Sequence, residues 1–189
     1  MRKLVYYVGS TIDGAIAGPD DEIDFFPSGP EVLGWIAEEY PETLPAPVRA
    51  GMGIDAAPNR AFDTVLMGRE TYRPALGAGL TSPYPHLRQI VASASLPELD
   101  PAIERTTDAL ATVRALKRED GLDLWLCGGS RLAGALLPEV DRIVVKRYPV
   151  VAGGGRPMLE GGFSPAAFTR AQTIGFDDGT AVTTFDRAG

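Results

Sequence analysis

The sequence has 189 residues, 44% of them hydrophobic and 23% charged, enough to bury a core in one domain and too apolar for a disordered chain. Its net charge of -7 argues against a general nucleic-acid or anionic-membrane surface, and the expected partner is a small molecule. Cys127 is the only cysteine, which excludes an internal disulfide and any cysteine-rich metal site. No apolar run approaches the ~18 residues of a membrane span, and the basic start MRKLVYY is broken too soon for a secretory signal, so a cytoplasmic location is expected.

LVYYVGS (4–10) is β-branched and aromatic, and predicts a first strand. Residues 11–29, rich in glycine, proline and acids, read as a loop. Apolar positions Val32, Leu33, Ile36 and Ala37 predict a helix over 31–40 that Pro41 stops. Segment 41–60 is broken by prolines, with room for a short helix near 46–52. A strand is expected at 63–68, then a helix over 69–76 disturbed by Pro74, then a strand at 87–93. DALATVRALKRED (108–120) is amphipathic, with Asp108 as its cap and the Lys117 stem on the apolar face. A strand (122–127), a helix (130–138) and a strand (141–151) follow, and 166–187 folds as a hairpin about Asp177-Asp178-Gly179. Alternating strands and helices imply a single α/β domain over 1–189, with a mostly parallel sheet, helices on both faces and an antiparallel edge. Ligands in such sheets bind at the carboxyl ends of strands.

Three strand ends carry residues suited to phosphate. In LCGGSRLAG the Gly128-Gly129 pair lets bare backbone approach a ligand, and Ser130 is expected to cap a helix whose first amides favour an anion. A plain tight turn has the same pattern. In VLMGRETY, Arg69 stands at a helix start, where the dipole disfavours a cation unless an anion is also present. A solvated arginine is the competing account. Ser93 ends a third strand, where its hydroxyl either meets the same phosphate or merely opens a turn. No G-x-x-x-x-G-K-[ST] run exists, and GGGRPMLEGG does not supply the G-x-G-x-x-G fingerprint between a strand and a helix.

STIDGAIAG, VLMGRETY, IVASASL, LWLCGGSRLAGALLPEVDRIVV, PVVAGGGRPML and the terminal hairpin, in that order, resemble the dihydrofolate-reductase-like superfamily. The nearest branch is the C-terminal reductase domain of the bacterial riboflavin deaminase–reductase. The resemblance implies NADPH as cofactor, a homodimer, and activity like that of 5-amino-6-(5-phosphoribosylamino)uracil reductase. It assigns Gly68, Arg69 and Thr71 to the adenosine 2′-phosphate and pyrophosphate, and Ser93 to the 2′-phosphate. Gly128, Gly129, Ser130 and Arg131 then wrap the pyrophosphate, with Ile16 and Ala17 near the nicotinamide. A folate or pterin reductase, and an NADPH-binding sensor or resistance protein without turnover, are the alternatives.

For the reacting end, Asp24 in DEIDFF is the candidate acid by order, with Phe25 and Phe26 as apolar walls. A solvated acid in an acid-rich loop is the competing account, and the tryptophan and proline that flank the folate enzymes' acid are missing. Asp13 reads as a turn residue steadied by Gly14. The lone His86 lies in a proline-rich connector, a poor place for a triad, and no metal-ligand spacing occurs. Cys127, Trp125 and Tyr148 read as core, and Tyr72 as core or pocket wall.

Overall fold

The structure, a computed structural model, describes residues 1–27, 29–96 and 100–189. Its strands are β1 (Leu4–Ser10), β2 (Ala15–Ala17), β3 (Phe62–Gly68), β4 (Arg88–Ala92), β5 (Ile103–Thr106), β6 (Asp123–Gly128), β7 (Val140–Arg147), β8 (Arg156–Pro157), β9 (Phe168–Gly175) and β10 (Ala181–Arg187). Helices α1 (Pro30–Glu39), α2 (Ala46–Gly51), α3 (Arg69–Gly77), α4 (Ala109–Leu116) and α5 (Ser130–Leu136) connect them.

Eight strands form one sheet in the order β5-β4-β3-β6-β1-β7-β10-β9, parallel from β5 to β7 and antiparallel at β10 and β9. Alternate residues of β1 explain why both faces are covered. Leu4, Tyr6 and Val8 pack with Val113 and Leu116 of α4 and Leu136 of α5, whereas Val5 and Tyr7 face the side of Tyr72 from α3. A strand buried on both faces needs the continuous apolar run that 4–8 supplies.

Local signals fix the helix ends. Asp108 Oδ1 accepts the Ala111 amide at 2.9 Å and caps α4. Lys117 is buried, with its ammonium 2.7 Å from Asp141 and donating to the Glu139 carbonyl at 2.6 Å. The terminal turn closes on Gly179 at φ +87°, with the Gly179 amide donating to Phe176. One cap differs from expectation. β6 runs through Gly128, so Gly129 takes the cap position and Ser130 is the first residue of α5, without a side-chain cap bond.

The 11–29 loop, of which Ser28 lies outside the described residues, contains β2, which pairs with β8 across a long sequence separation. Asp13 reinforces that link: its carboxylate accepts from the Thr11 hydroxyl and from the amides of Ala152 and Gly153. These bonds, the Thr11 hydroxyl first, hold the Asp13 carboxyl down to about 2. A depressed pKa means the tie is complete above the unfolded value near ~3.9 and is lost as pH falls through about 2. Asp13→Ala should therefore accelerate amide hydrogen exchange at Ala152 and Gly153 at pH values where the carboxylate is charged, with exchange in β1 unchanged.

Candidate functional site

The carboxyl ends of β3, β4 and β6 open into a cleft of about 1240 Å³. Two turns meet at its edge. A Cβ on Gly68 would lie 3.3 Å from the Gly129 nitrogen and 3.4 Å from the Gly128 carbonyl oxygen. A Cβ on Gly129 would lie 3.3 Å from the Thr71 hydroxyl. Gly128, at φ +129°, holds a conformation that a side chain rarely adopts. The glycines thus let the β3–α3 and β6–α5 turns touch backbone to backbone.

Arg69 stands beside this junction, about half exposed. Its Nε meets Glu70 at 2.6 Å and its Nη1 donates to the Ser95 hydroxyl at 2.7 Å, so the guanidinium is aimed at the loop after β4. That loop is shaped by Ser93, whose buried hydroxyl accepts the amides of Ser95 and Leu96. Glu70 also pairs with Arg73, and the two guanidinium groups, Arg73 foremost, hold its carboxyl below the usual range.

The expected cofactor residues Ile16, Ala17, Gly68, Arg69, Thr71, Ser93, Gly129, Ser130 and Arg131 all line the cleft. Gly128 is buried behind Gly129 and does not line it. Arg131 is largely exposed at the rim, 3.1 Å from Glu160. Five cationic side chains and three acids line the cleft, a local excess of two positive charges in a chain of net -7. Such an excess suits an anionic ligand.

Asp24 does not line the cleft. It is exposed, whereas Asp21, Ile23, Phe26 and Pro27 of the same loop line the cleft. Phe26 turns inward to pack at a tilt against Tyr148, with ring centroids 5.1 Å apart, and Asp24 lies on the solvent side of the loop. Tyr72 is core, its hydroxyl bonded to the Thr81 carbonyl. His86 Nε2 lies 2.9 Å from the Glu42 carbonyl, outside the cleft, and burial lowers its pKa. Among the described residues no group of three or more histidine, cysteine, aspartate or glutamate side chains could hold a metal ion. No described helix is long and apolar enough to cross a membrane.

The inner cleft contains side chains that sequence reasoning left as strand residues. Lys146 of β7 is buried, its Nζ 3.4 Å above the centre of the Tyr7 ring. Cys127 and Tyr148 line the same pocket, and burial pushes the Cys127 thiol up to about 12. The one available signal was a lysine amid IVVKRY, a strand read as buried.

YwjB of Bacillus subtilis (strain 168) is 28% identical over 166 residues, covering 84% of this chain and 83% of that protein. Two solved structures share the fold. The diaminohydroxyphosphoribosylaminopyrimidine deaminase/5-amino-6-(5-phosphoribosylamino)uracil reductase of Thermotoga maritima superposes with a TM-score of 0.65 at 16% identity, over 99% of this chain and 57% of that one. Dihydrofolate reductase from Enterococcus faecalis, complexed with NADP(H), gives a TM-score of 0.66 at 14% identity, over 99% of this chain and 97% of that one. The expected dihydrofolate-reductase-like architecture is thus the observed one. Residues 2–182 match the family model of the RibD C-terminal domain, and the chain belongs to that family.

Proposed function

We propose that this protein is an NADPH-dependent reductase acting on a small heterocyclic or ribosylamino-pyrimidine substrate. The observation that carries this reading is the junction of Gly68 with Gly128-Gly129 beside Arg69, at the mouth of a cleft of about 1240 Å³. The two touching turns bring bare backbone to the edge of the cleft, which suits a pyrophosphate, and the Arg69 fork with the Ser93–Ser95 loop suits a 2′-phosphate. The volume exceeds the ~300–1,000 Å³ of a usual small-molecule pocket, as a site for a dinucleotide and a second molecule requires. When bound, the nicotinamide supplies hydride. The chain's part is to hold the phosphates at Gly68, Arg69, Thr71, Ser93 and the 128–131 turn, to wall the ring with Ile16 and Ala17, and to exclude water. Exposure of Asp24 favours the pyrimidine side over the folate side, since no acid from this position reaches the inner cleft. A homodimer and a cytoplasmic location belong to the same reading through the family resemblance alone.

Fluorescence titration with NADPH and NADH tests the cofactor assignment. NADPH should bind the tighter, and Arg69→Ala should weaken NADPH by about 10–100-fold while leaving NADH unchanged, the loss of one charge-assisted contact of ~1.5–3 kcal/mol. Equal affinities for the two dinucleotides, untouched by the substitution, would refute the 2′-phosphate site. NADPH oxidation in the presence of 5-amino-6-(5-phosphoribosylamino)uracil or dihydrofolate then separates turnover from binding without chemistry.

A further inference from the structure

Every acid lining the cleft is already matched by an arginine. Asp21 pairs with Arg156 at 2.9 Å, Glu70 with Arg69 and Arg73, and Glu160 with Arg131. Lys146 is different. Among the described residues its ammonium has no ion-pair or hydrogen-bond partner, and its side chain is nine-tenths buried. It sits on β7 opposite Gly9 of β1 and Val182 of β10, so neither neighbouring position supplies a counter-charge. The groups facing it are Tyr7 from β1, Cys127 from β6 and Tyr148 beyond the end of β7. Among the described residues the Tyr7 hydroxyl is buried without a well-formed hydrogen bond, with the Thr43 side chain as a polar neighbour. Arg142, four residues back along β7, is satisfied by Asp186.

A buried, unpaired cation costs stability, so something other than folding accounts for it. Apolar and aromatic side chains also line the cleft, including Trp125, Tyr84, Ile36 and Leu44. They suit a flat ring with a single acceptor atom at Nζ. We propose that Lys146 is the cation at the bottom of the cleft that holds the heteroatom of a flat, carbonyl- or imine-bearing substrate and supplies the proton that completes its reduction. This rests on the reductase reading above. Reduction of C=O or C=N adds a hydride to carbon, from the dihydronicotinamide already invoked, and a proton to oxygen or nitrogen. The Lys146 N–H bond breaks as the new O–H or N–H bond forms. The neutral amine left behind is reprotonated by solvent through the open cleft. Burial lowers the Lys146 pKa to about 7, where an ammonium gives up its proton readily.

The linkage has a definite sign. The unfolded lysine, near ~10.4, binds more protons than the folded one between about 7 and that value, so wild-type stability rises with pH across this window. Lys146→Met should therefore fold at least as well as wild type at neutral pH and lack that rise.

Lumazine (2,4-dioxopteridine) and 2,4-diaminopteridine are probes of one shape with opposite polarity. Lumazine should bind the wild type better, and Lys146→Met should weaken it about 10–100-fold without weakening the diamino ring. Lys146→Arg, which keeps its charge, should retain lumazine. With 5-amino-6-(5-phosphoribosylamino)uracil and NADPH, the wild-type rate should fall as pH rises through about 7. Both variants should be ~10²–10³-fold slower and lack that limb. Direct NMR titration of [ε-¹³C]lysine should find one lysine near 7 that disappears in Lys146→Met. Lumazine affinity unchanged in Lys146→Met, or a Lys146 titrating near ~10, would overturn the proposal. Failure of wild-type NADPH binding, read in its own titration, overturns the reductase reading while leaving the lumazine result to judge Lys146.

Discussion

Glu42→Ala is expected to lower the thermal midpoint by roughly 6–20 °C, the equivalent of about 3–5 kcal/mol in a chain of this size. Glu42 is fully buried, and its carboxylate accepts the amides of Ala61 and Phe62 at 2.7 Å each and of Arg60 at 3.2 Å. These amides lead into β3 before the strand ladder takes over, so Glu42 is a clamp that joins the 41–43 turn to the strand carrying Gly68 and Arg69. Alanine removes all three acceptor contacts and leaves buried amides unpaired, which costs more than the net worth of the bonds themselves. Glu42→Gln keeps one acceptor oxygen and should lose about half as much. Calorimetry of the two variants separates the readings. A midpoint for Glu42→Ala within ~2 °C of wild type would mean that water replaces the carboxylate and that the clamp carries little.

Elements that bury both faces or one helical stripe were legible in the sequence, since burial writes itself as an apolar run or a period. β1, β3, β6 and α4 are of this kind. β5 was not seen, because IERT buries only Ile103 and sits at the sheet edge, where polar residues carry no penalty. The β2–β8 pair was unreadable for a different reason: two and three residues joined across the chain have no local period. Segment 41–60 read as broken by prolines with room for a short helix near 46–52, where α2 lies, but its sequence did not show that Arg49 is buried there and donates to the carbonyls of Pro41, Asp55 and Ala57. Buried polar hubs of this sort satisfy backbone groups that only the folded chain brings together.

The site divides along the same line. Gly68, Arg69 and the 128–131 turn were visible because a strand ending in glycine before a helix is a local pattern with a known direction. Lys146 and Tyr7 were invisible because their meeting depends on β1 and β7 being neighbours, a fact of topology. Asp24 shows the converse case. Order along the chain placed an acid in the right loop, but the loop turns Phe26 and not Asp24 toward the cleft.

Gly68→Val should weaken NADPH by ~100-fold or more while the protein stays folded. The first added carbon would stand 3.3 Å from the Gly129 nitrogen and 3.4 Å from the Gly128 carbonyl oxygen, both backbone atoms with no rotamer to yield. Valine's two further carbons then force the β3–α3 and β6–α5 turns apart. A shift of ~1 Å at a group that must be held in register is enough for a 10²-fold loss, whereas the overpacking itself costs about 1–3 kcal/mol of stability. Gly77→Ala is the matched control, since a Cβ at that end of α3 meets nothing within 4 Å. It should leave both NADPH affinity and the thermal midpoint near wild type. Because Gly68 has an ordinary φ of -75°, any loss at this position reports the closeness of the two turns and not a backbone preference. Wild-type NADPH affinity in Gly68→Val would show that the junction of the two crossovers is packing alone, and the phosphate groups would have to be sought elsewhere along the cleft.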